Sequence, residues 1–212
     1  MILIGLFDSP FVRRVAISAT LLGMPFEHRS WSIGKDFDRI RAYNPLGRVP
    51  TLVLDDGSSL MESAAILDWL DEQAGPARAL LPVSGVPRRE SLRLMAIATG
   101  AADKGVLQIY EKAFRPADKW HEPWLARCRT QCDAALDELE RACAALGNSR
   151  WLSGETMGQA DITTVCVYTF LNSTLALDAA RWPALAALAA RAEALPEFCA
   201  TRVAFHMPKT SG

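Results

Sequence analysis

Three short segments place reactive or ligand-holding residue types where a strand gives way to a helix or another strand. The first is Asp8-Ser9-Pro10. Serine before proline starts a helix well, the hydroxyl capping a free N–H and the proline filling the first turn. The same geometry sets a hydroxyl in the positive potential of a helix N-terminus, where it can donate to a bound anion. The second segment, residues 44–52, centres on Val49-Pro50. Proline cannot supply a ladder N–H on entering a strand. A cis Val49–Pro50 bond would turn the backbone N–H and C=O of Val49 outward for a ligand; an ordinary strand entry also accounts for the pair. The third is Glu62-Ser63. Ser63 and the free N–H groups of a helix start can hold a carboxylate, and Glu62 can pair an ammonium. Helix capping beside a solvated glutamate is the plainer reading of the same dipeptide.

Other arrangements carry less. A nucleophilic serine needs a base and commonly sits in a Gly-x-Ser-x-Gly elbow. Asp8-Ser9-Pro10 has no such frame, and His28, His121 and His206 show no spacing that points to Ser9. Cys128 and Cys132 stand four apart, but no histidine or further cysteine completes a metal site nearby, so they read as packing residues and no metal is expected. Tyr110 and Phe114 share a helix face by the same spacing and suit either a core or a pocket wall. Trp120 and Trp124 repeat the pattern.

The elements that must hold these residues come in two kinds. Residues 1–7 and 26–31 read as strands around a helix over 10–22. An irregular stretch follows, then a hairpin of 49–54 and 58–61 across Asp55-Asp56-Gly57, then a helix over 63–73. From Pro87 the pattern is helical throughout: 88–115 between two prolines, 123–146, 159–175, 183–194 and 196–203. The expected architecture is therefore α/β plus all-α: a βαβ-ββα domain over 1–75, a linker over 76–87 rich in proline and glycine, and a helical domain over 88–212.

Composition bounds the setting. The 212 residues are 50% hydrophobic and 22% charged, enough to bury a core and too apolar for wholesale disorder. With 23 Lys and Arg against 24 Asp and Glu, the net charge of −1 offers no electrostatic case for nucleic acid or an anionic membrane as partner. No apolar run reaches the roughly 18–20 residues of a membrane span. Five cysteines, all at or after Cys128, do not make a disulfide framework, which points to the reducing cytoplasm.

Taken together and in order, the three segments resemble the glutathione transferase superfamily. Residues 9–15 look like the strand-to-helix segment of its serine-type (zeta- or theta-like) members. Residues 44–52 resemble the family's cis-proline loop, and Glu62-Ser63 its γ-glutamyl-binding pair. Residues 154–162 resemble the folding signature at its sixth helix, and 181–200 its last helices. The departures are Phe7 where tyrosine-type members carry a hydroxyl, serine rather than cysteine at position 9, and Gly158 where the signature usually has Ser or Thr. Asp161 is expected to cap that helix all the same, with Met157 and Ile162 as a hydrophobic staple.

The resemblance implies a thioredoxin-like first domain, glutathione as co-substrate, and a dimer. It implies that Ser9 is the catalytic residue, activating the thiol, with Phe11 beside it. Val49 would bind the cysteinyl backbone, with Pro50 holding its shape. Glu62 and Ser63 would take the γ-glutamyl end, and Arg48 is a candidate for the glycyl carboxylate. Phe11, Tyr110 and Phe114 would line the electrophile pocket between the domains. The energetics are adequate. A thiol with pKa ~8.5 is about 3% ionised at pH 7, and lowering it by two units needs ~2.7 kcal/mol. A hydrogen bond to a charge supplies ~1.5–3 kcal/mol and a helix terminus ~0.3–2 kcal/mol. The implied chemistry is conjugation in detoxification. Glutathione-dependent isomerisation, peroxide reduction, dehalogenation and a noncatalytic protein-binding module are the rivals.

Overall fold

The computed structural model describes residues 1–147 and 149–207; residues 148 and 208–212 of the expected helical domain lie outside them. The first half runs β1 (Ile2–Ile4), α1 (Pro10–Leu21), β2 (Glu27–Arg29), α2 (Phe37–Arg41), β3 (Thr51–Val53), β4 (Ser59–Met61) and α3 (Ser63–Ala74). The strands form one sheet in the order β2-β1-β3-β4. β1 and β2 are parallel, Leu3 opposite His28, while β3 runs antiparallel to both neighbours, with Leu52 opposite Leu3 and Leu60. Asp55-Asp56-Gly57 makes the expected hairpin, closed by Leu54 N–H to Ser58 C=O at 2.8 Å. This is the mixed sheet that the thioredoxin-like expectation requires.

The second half is helical: α4 (Gly85–Phe114), α5 (Glu122–Ala144), α6 (Gln159–Leu175), α7 (Pro183–Glu193) and α8 (Pro196–Ala200), with two short 3-10 turns between. The α/β-then-all-α architecture is thus as expected. α6 is buried almost all round, Ile162, Val165, Cys166 and Leu171 facing different neighbours, because it packs against α4, α7 and α1 together. The core runs continuously from Leu3, Val12, Ile66 and Leu70 into Ala98, Leu136, Val165 and Leu188. The opposite sheet face holds a smaller cluster of Ile4, Ile40 and Val53.

Several boundaries differ from expectation. The strands are shorter, the first ending before Gly5 and the third starting after Pro50, which has no N–H for the ladder. The stretch read as irregular contains α2. α4 begins at Gly85 rather than Arg88, since Pro87 then stands in the first turn, where an N–H would have no helical acceptor. α8 ends at Ala200 rather than at residue 203.

The segment between the halves is stitched on both sides. The Asp71 carboxylate, at the end of α3, accepts Leu80 N–H at 2.7 Å and Leu81 N–H at 3.2 Å. Leu80 C=O in turn accepts the Gln159 N–H at the start of α6, at 2.9 Å. Arg78 also donates to Leu22 C=O. At the α6 N-terminus, Asp161 accepts N–H groups from Gly158 (3.0 Å), Leu152 (2.6 Å) and Ser153 (3.2 Å). Gly158 has no side chain to cap with, and none would fit: a Cβ there would press on Ser153 Oγ and come within 2.8 Å of Leu80 C=O. Met157 and Ile162 flank this cap and both pack into the core.

Candidate active site

Ser9 sits in extended conformation as the N-cap of α1, with Pro10 opening the helix. Its Oγ accepts the Val12 N–H at a long 3.4 Å. No described residue accepts the Ser9 hydroxyl proton, so it is free to donate at the start of α1, where the peptide dipoles favour negative charge.

Val49, just ahead of β3, packs close to Gly5. The Val49–Pro50 peptide is cis. Gly5, between β1 and Ser9, holds φ at +133°, and a Cβ there would lie 2.6 Å from Val12 Cγ2 and 2.8 Å from Val49 Cβ. Only glycine lets the cis-proline loop close this tightly on the start of α1. Asn44 braces that loop from within, donating from Nδ2 to Arg48 C=O at 2.9 Å and to Thr51 Oγ1 at 3.1 Å. Behind the turn, His28 Nε2 contacts Gly5 C=O at 2.7 Å, and its ring stacks on Phe7 with centroids 3.8 Å apart. Phe7 is therefore a packing residue.

Glu62 and Ser63 stand between β4 and α3. Glu62 has φ +68° and ψ +121°, a left-handed backbone that a residue with a Cβ adopts at ~1–3 kcal/mol. Strain of this kind concentrates at ligand-holding sites. The Glu62 carboxylate pairs with Arg48 at 2.9 Å, both side chains more than half exposed. The structure therefore joins two residues that the sequence assigns to opposite ends of one ligand. An exposed pair is worth ~0–1 kcal/mol, so it opens readily.

Ser63 is buried and accepts a hydrogen bond from Arg14 Nη2 at 2.7 Å. Its own proton is left to donate. Arg14 is 2% exposed, and its Nη1 donates to Thr163 Oγ1 of α6 at 3.1 Å, while Nε is unpaired. Burial pulls its pKa down to about 10, which the fields of Asp103 and Glu62 offset only in part. It stays cationic at neutral pH. Sequence reasoning missed this residue. The available signal was that α1 carries two arginines and no acidic residue, so both need distant partners. The other, Arg13, finds Glu193 at 2.6 and 2.8 Å.

On the α4 side, Tyr110 is half-buried, its ring edge-to-face with Phe114 at 5.1 Å. Burial pushes the Tyr110 hydroxyl up, eased by the field of Arg48 and reinforced by that of Asp8, so it stays a neutral phenol. Phe11 packs half-buried at the edge of the core. Trp120 donates to Arg115 C=O, and Trp124 lies under Lys104. Burial holds the Cys132, Cys143 and Cys166 thiols up at about 12, leaving them protonated. Among the described residues no group of three His, Cys, Asp or Glu side chains is placed to hold a metal ion. None of the described helices is long and apolar enough to cross a membrane.

Known proteins share this arrangement. Residues 3–78 match the family model described as glutathione S-transferase, N-terminal domain, and residues 122–191 match the corresponding C-terminal domain. The chain is 31% identical over 172 residues to the uncharacterized GST-like protein YibF of Escherichia coli, covering 81% of this chain and 82% of the relative. It is 30% identical over 196 residues to a maleylacetoacetate isomerase of Pseudomonas aeruginosa, covering 87% of each. A glutathione S-transferase of Methylobacterium radiotolerans, solved with glutathione sulfonate, superposes with a TM-score of 0.86 at 31% identity, covering 99% of this chain and 95% of that one. The two matched domains, in order on a thioredoxin-like sheet followed by a helical bundle, make this chain a member of the glutathione S-transferase superfamily.

Proposed function

We propose that the chain is a cytoplasmic, homodimeric glutathione transferase in which Ser9 activates the thiol for attack on a small hydrophobic electrophile. The observation that carries this reading is the Ser9 hydroxyl, which serves a single long contact as acceptor and has its proton unclaimed among the described residues. Donation to a thiolate at the α1 N-terminus joins a charged hydrogen bond to a helix dipole, and together these supply the ~2.7 kcal/mol that a two-unit fall in thiol pKa requires. Ser9 stays protonated throughout; it lowers the pKa without removing the proton itself.

The remaining residues bind and orient. Val49, fixed against Gly5, offers its backbone to the cysteinyl unit. Ser63, accepting from Arg14, donates to the γ-glutamyl carboxylate, and the buried guanidinium behind it supplies the opposite charge. Glu62 takes the ammonium. Arg48 serves the glycyl carboxylate only by releasing Glu62. Phe11, Tyr110 and Phe114 border the space for the electrophile.

The similarity to a maleylacetoacetate isomerase favours a second reading of the same site. A thiolate that adds to a conjugated cis double bond, permits rotation and then leaves would isomerise it with glutathione regenerated. The test has two arms. Ser9→Ala should keep glutathione binding by calorimetry, while ultraviolet titration of the bound thiol shows a raised pKa and turnover falls about 10- to 100-fold. An unchanged thiol pKa dismisses Ser9 as activator. Aryl halides, hydroperoxides and cis-enones assayed side by side then separate conjugation and peroxide reduction from isomerisation.

A further inference from the structure

Asp8 stands one residue ahead of Ser9 and is half-buried. Its Oδ2 accepts the His206 backbone N–H at 3.3 Å, a long bond from an uncharged donor. No Lys or Arg among the described residues forms an ion pair with it. The charges around it are otherwise engaged. Arg48 and Glu62 face each other at 2.9 Å, and Arg13 is held by Glu193 at 2.6 Å. Arg14 lies buried behind Ser63, and Asp103 on α4 shares its field with Arg14, Arg48 and Glu62. Asp8 is thus an unpaired anion adjoining Ser9. Burial pushes its carboxyl up, and the backbone N–H groups of His206 and Ser9, with the field of His206, oppose that rise. Adjacent Cα atoms stand about 3.8 Å apart, so the Asp8 carboxylate and the Ser9 hydroxyl lie within about 10 Å of each other in any rotamer. That is roughly one Debye length at about 0.1 M salt, and partial burial weakens the screening further. A sulfur held by Ser9, and any molecule that it attacks, therefore reacts inside the field of a fixed negative charge. The same field reaches the Tyr110 hydroxyl on α4.

We propose that Asp8 is a charge filter for the second substrate: it disfavours electrophiles that carry a carboxylate near the reacting carbon and leaves uncharged or cationic ones to be attacked. Which molecules meet this charge rests on the glutathione reading above, whereas the field at Ser9 does not. Asp8 acts through its charge alone and makes or breaks no bond. It bears on the choice between the two reactions, since a carboxylate-bearing cis-enone approaches the sulfur against this charge and a neutral aryl halide does not. Asparagine at position 8 keeps an acceptor oxygen for the His206 N–H and discards the charge, so Asp8→Asn isolates the charge, and Asp8→Glu retains it.

One arm of the test needs no glutathione. In a chain carrying Ser9→Cys and Cys199→Ser, the thiol at position 9 stands in for the bound sulfur, the other four cysteines being buried. Its alkylation rates with iodoacetate, an anion, and with iodoacetamide, the neutral counterpart, are compared with and without Asp8→Asn. The ratio of the iodoacetate rate to the iodoacetamide rate should rise about fivefold in Asp8→Asn and stay within about twofold in Asp8→Glu. The fivefold gap should shrink in about 1 M salt. The other arm uses the chain with Ser9 in place and glutathione present. There the ratio of kcat/KM for a chloronitrobenzoate to that for the corresponding chloronitrobenzamide should also rise about fivefold in Asp8→Asn. An alkylation ratio unmoved by Asp8→Asn overturns the filter. A ratio that moves for alkylation but not for glutathione conjugation overturns the role of Asp8 in choosing the substrate. Failure of the unaltered protein to bind glutathione counts against the thiol reading alone, and the alkylation arm still judges the field of Asp8.

Discussion

Arg14 Nη2 lies 2.7 Å from the Ser63 hydroxyl, and no carboxylate among the described residues pairs with that guanidinium. A buried cation without a counter-charge is a burden on the empty protein. A carboxylate docked at Ser63 relieves it. Arg14→Met should therefore leave the stability of the free protein within ~1 kcal/mol, since an apolar side chain replaces an unpaired charge. Glutathione affinity should fall about tenfold or more by calorimetry, from loss of the charge behind Ser63. A large loss of stability with affinity intact would show Arg14 to be structural.

Gly5→Ala tests how closely the cis-proline loop must approach α1. The added methyl meets Val12 and Val49 on a backbone at φ +133°. Destabilisation of ~1–3 kcal/mol is expected in denaturant titration, from overpacking and strain. The glutathione Kd should rise with it, because relief of the clash moves Val49.

Glu193 links folding to pH. Burial would raise its carboxyl, but the Arg13 hydrogen bonds and charge, with Arg202 behind them, outweigh burial and hold it below the ordinary 4.5. A carboxylate with a lowered folded pKa contributes stability that is complete above pH 4.5 and is lost as the pH falls through the lower folded value. Glu193→Gln should cost ~3 kcal/mol at pH 7, since it leaves Arg13 buried without its counter-charge. The gap between the two proteins should narrow in denaturant titrations taken from pH 5 down to pH 3. A gap that stays constant would show the pair to be electrostatically idle.

The cysteines sort by burial. Cys128, Cys132, Cys143 and Cys166 are buried, and Cys199 on α8 is exposed. Ellman's reagent should titrate one thiol in the native protein and five after denaturation. The Cys199→Ser variant should show none until unfolded and keep full turnover, because Cys199 lies outside the Ser9 site.

What could be read from sequence was local. α6 begins and ends where the pattern of Asp161 and the apolar run put it, because cap and burial lie within one helical stretch. Ser9, Val49 and Glu62-Ser63 were legible as caps and turns whose order matters. Their convergence depends on Gly5, whose two close neighbours come from different elements. Arg14 was invisible because its partners are 49 and 149 residues away. α2 escaped notice because a single buried residue, Ile40, gives no periodicity to follow. Gly158 read as a defect in a cap; the reason for it, the Ser153 side chain standing where its own would go, exists only in three dimensions.

The stitched segment between the halves bears on how molecules get in and out. Asp71 grips Leu80 and Leu81 from one side while Leu80 grips Gln159 on the other, so swinging the lobes apart means breaking either the two Asp71 hydrogen bonds or the one to Gln159. The exposed Arg48–Glu62 pair asks less, since rotating the Arg48 side chain away leaves the frame standing still. On that basis turnover should tolerate a covalent clamp across the hinge far better than one across the rim.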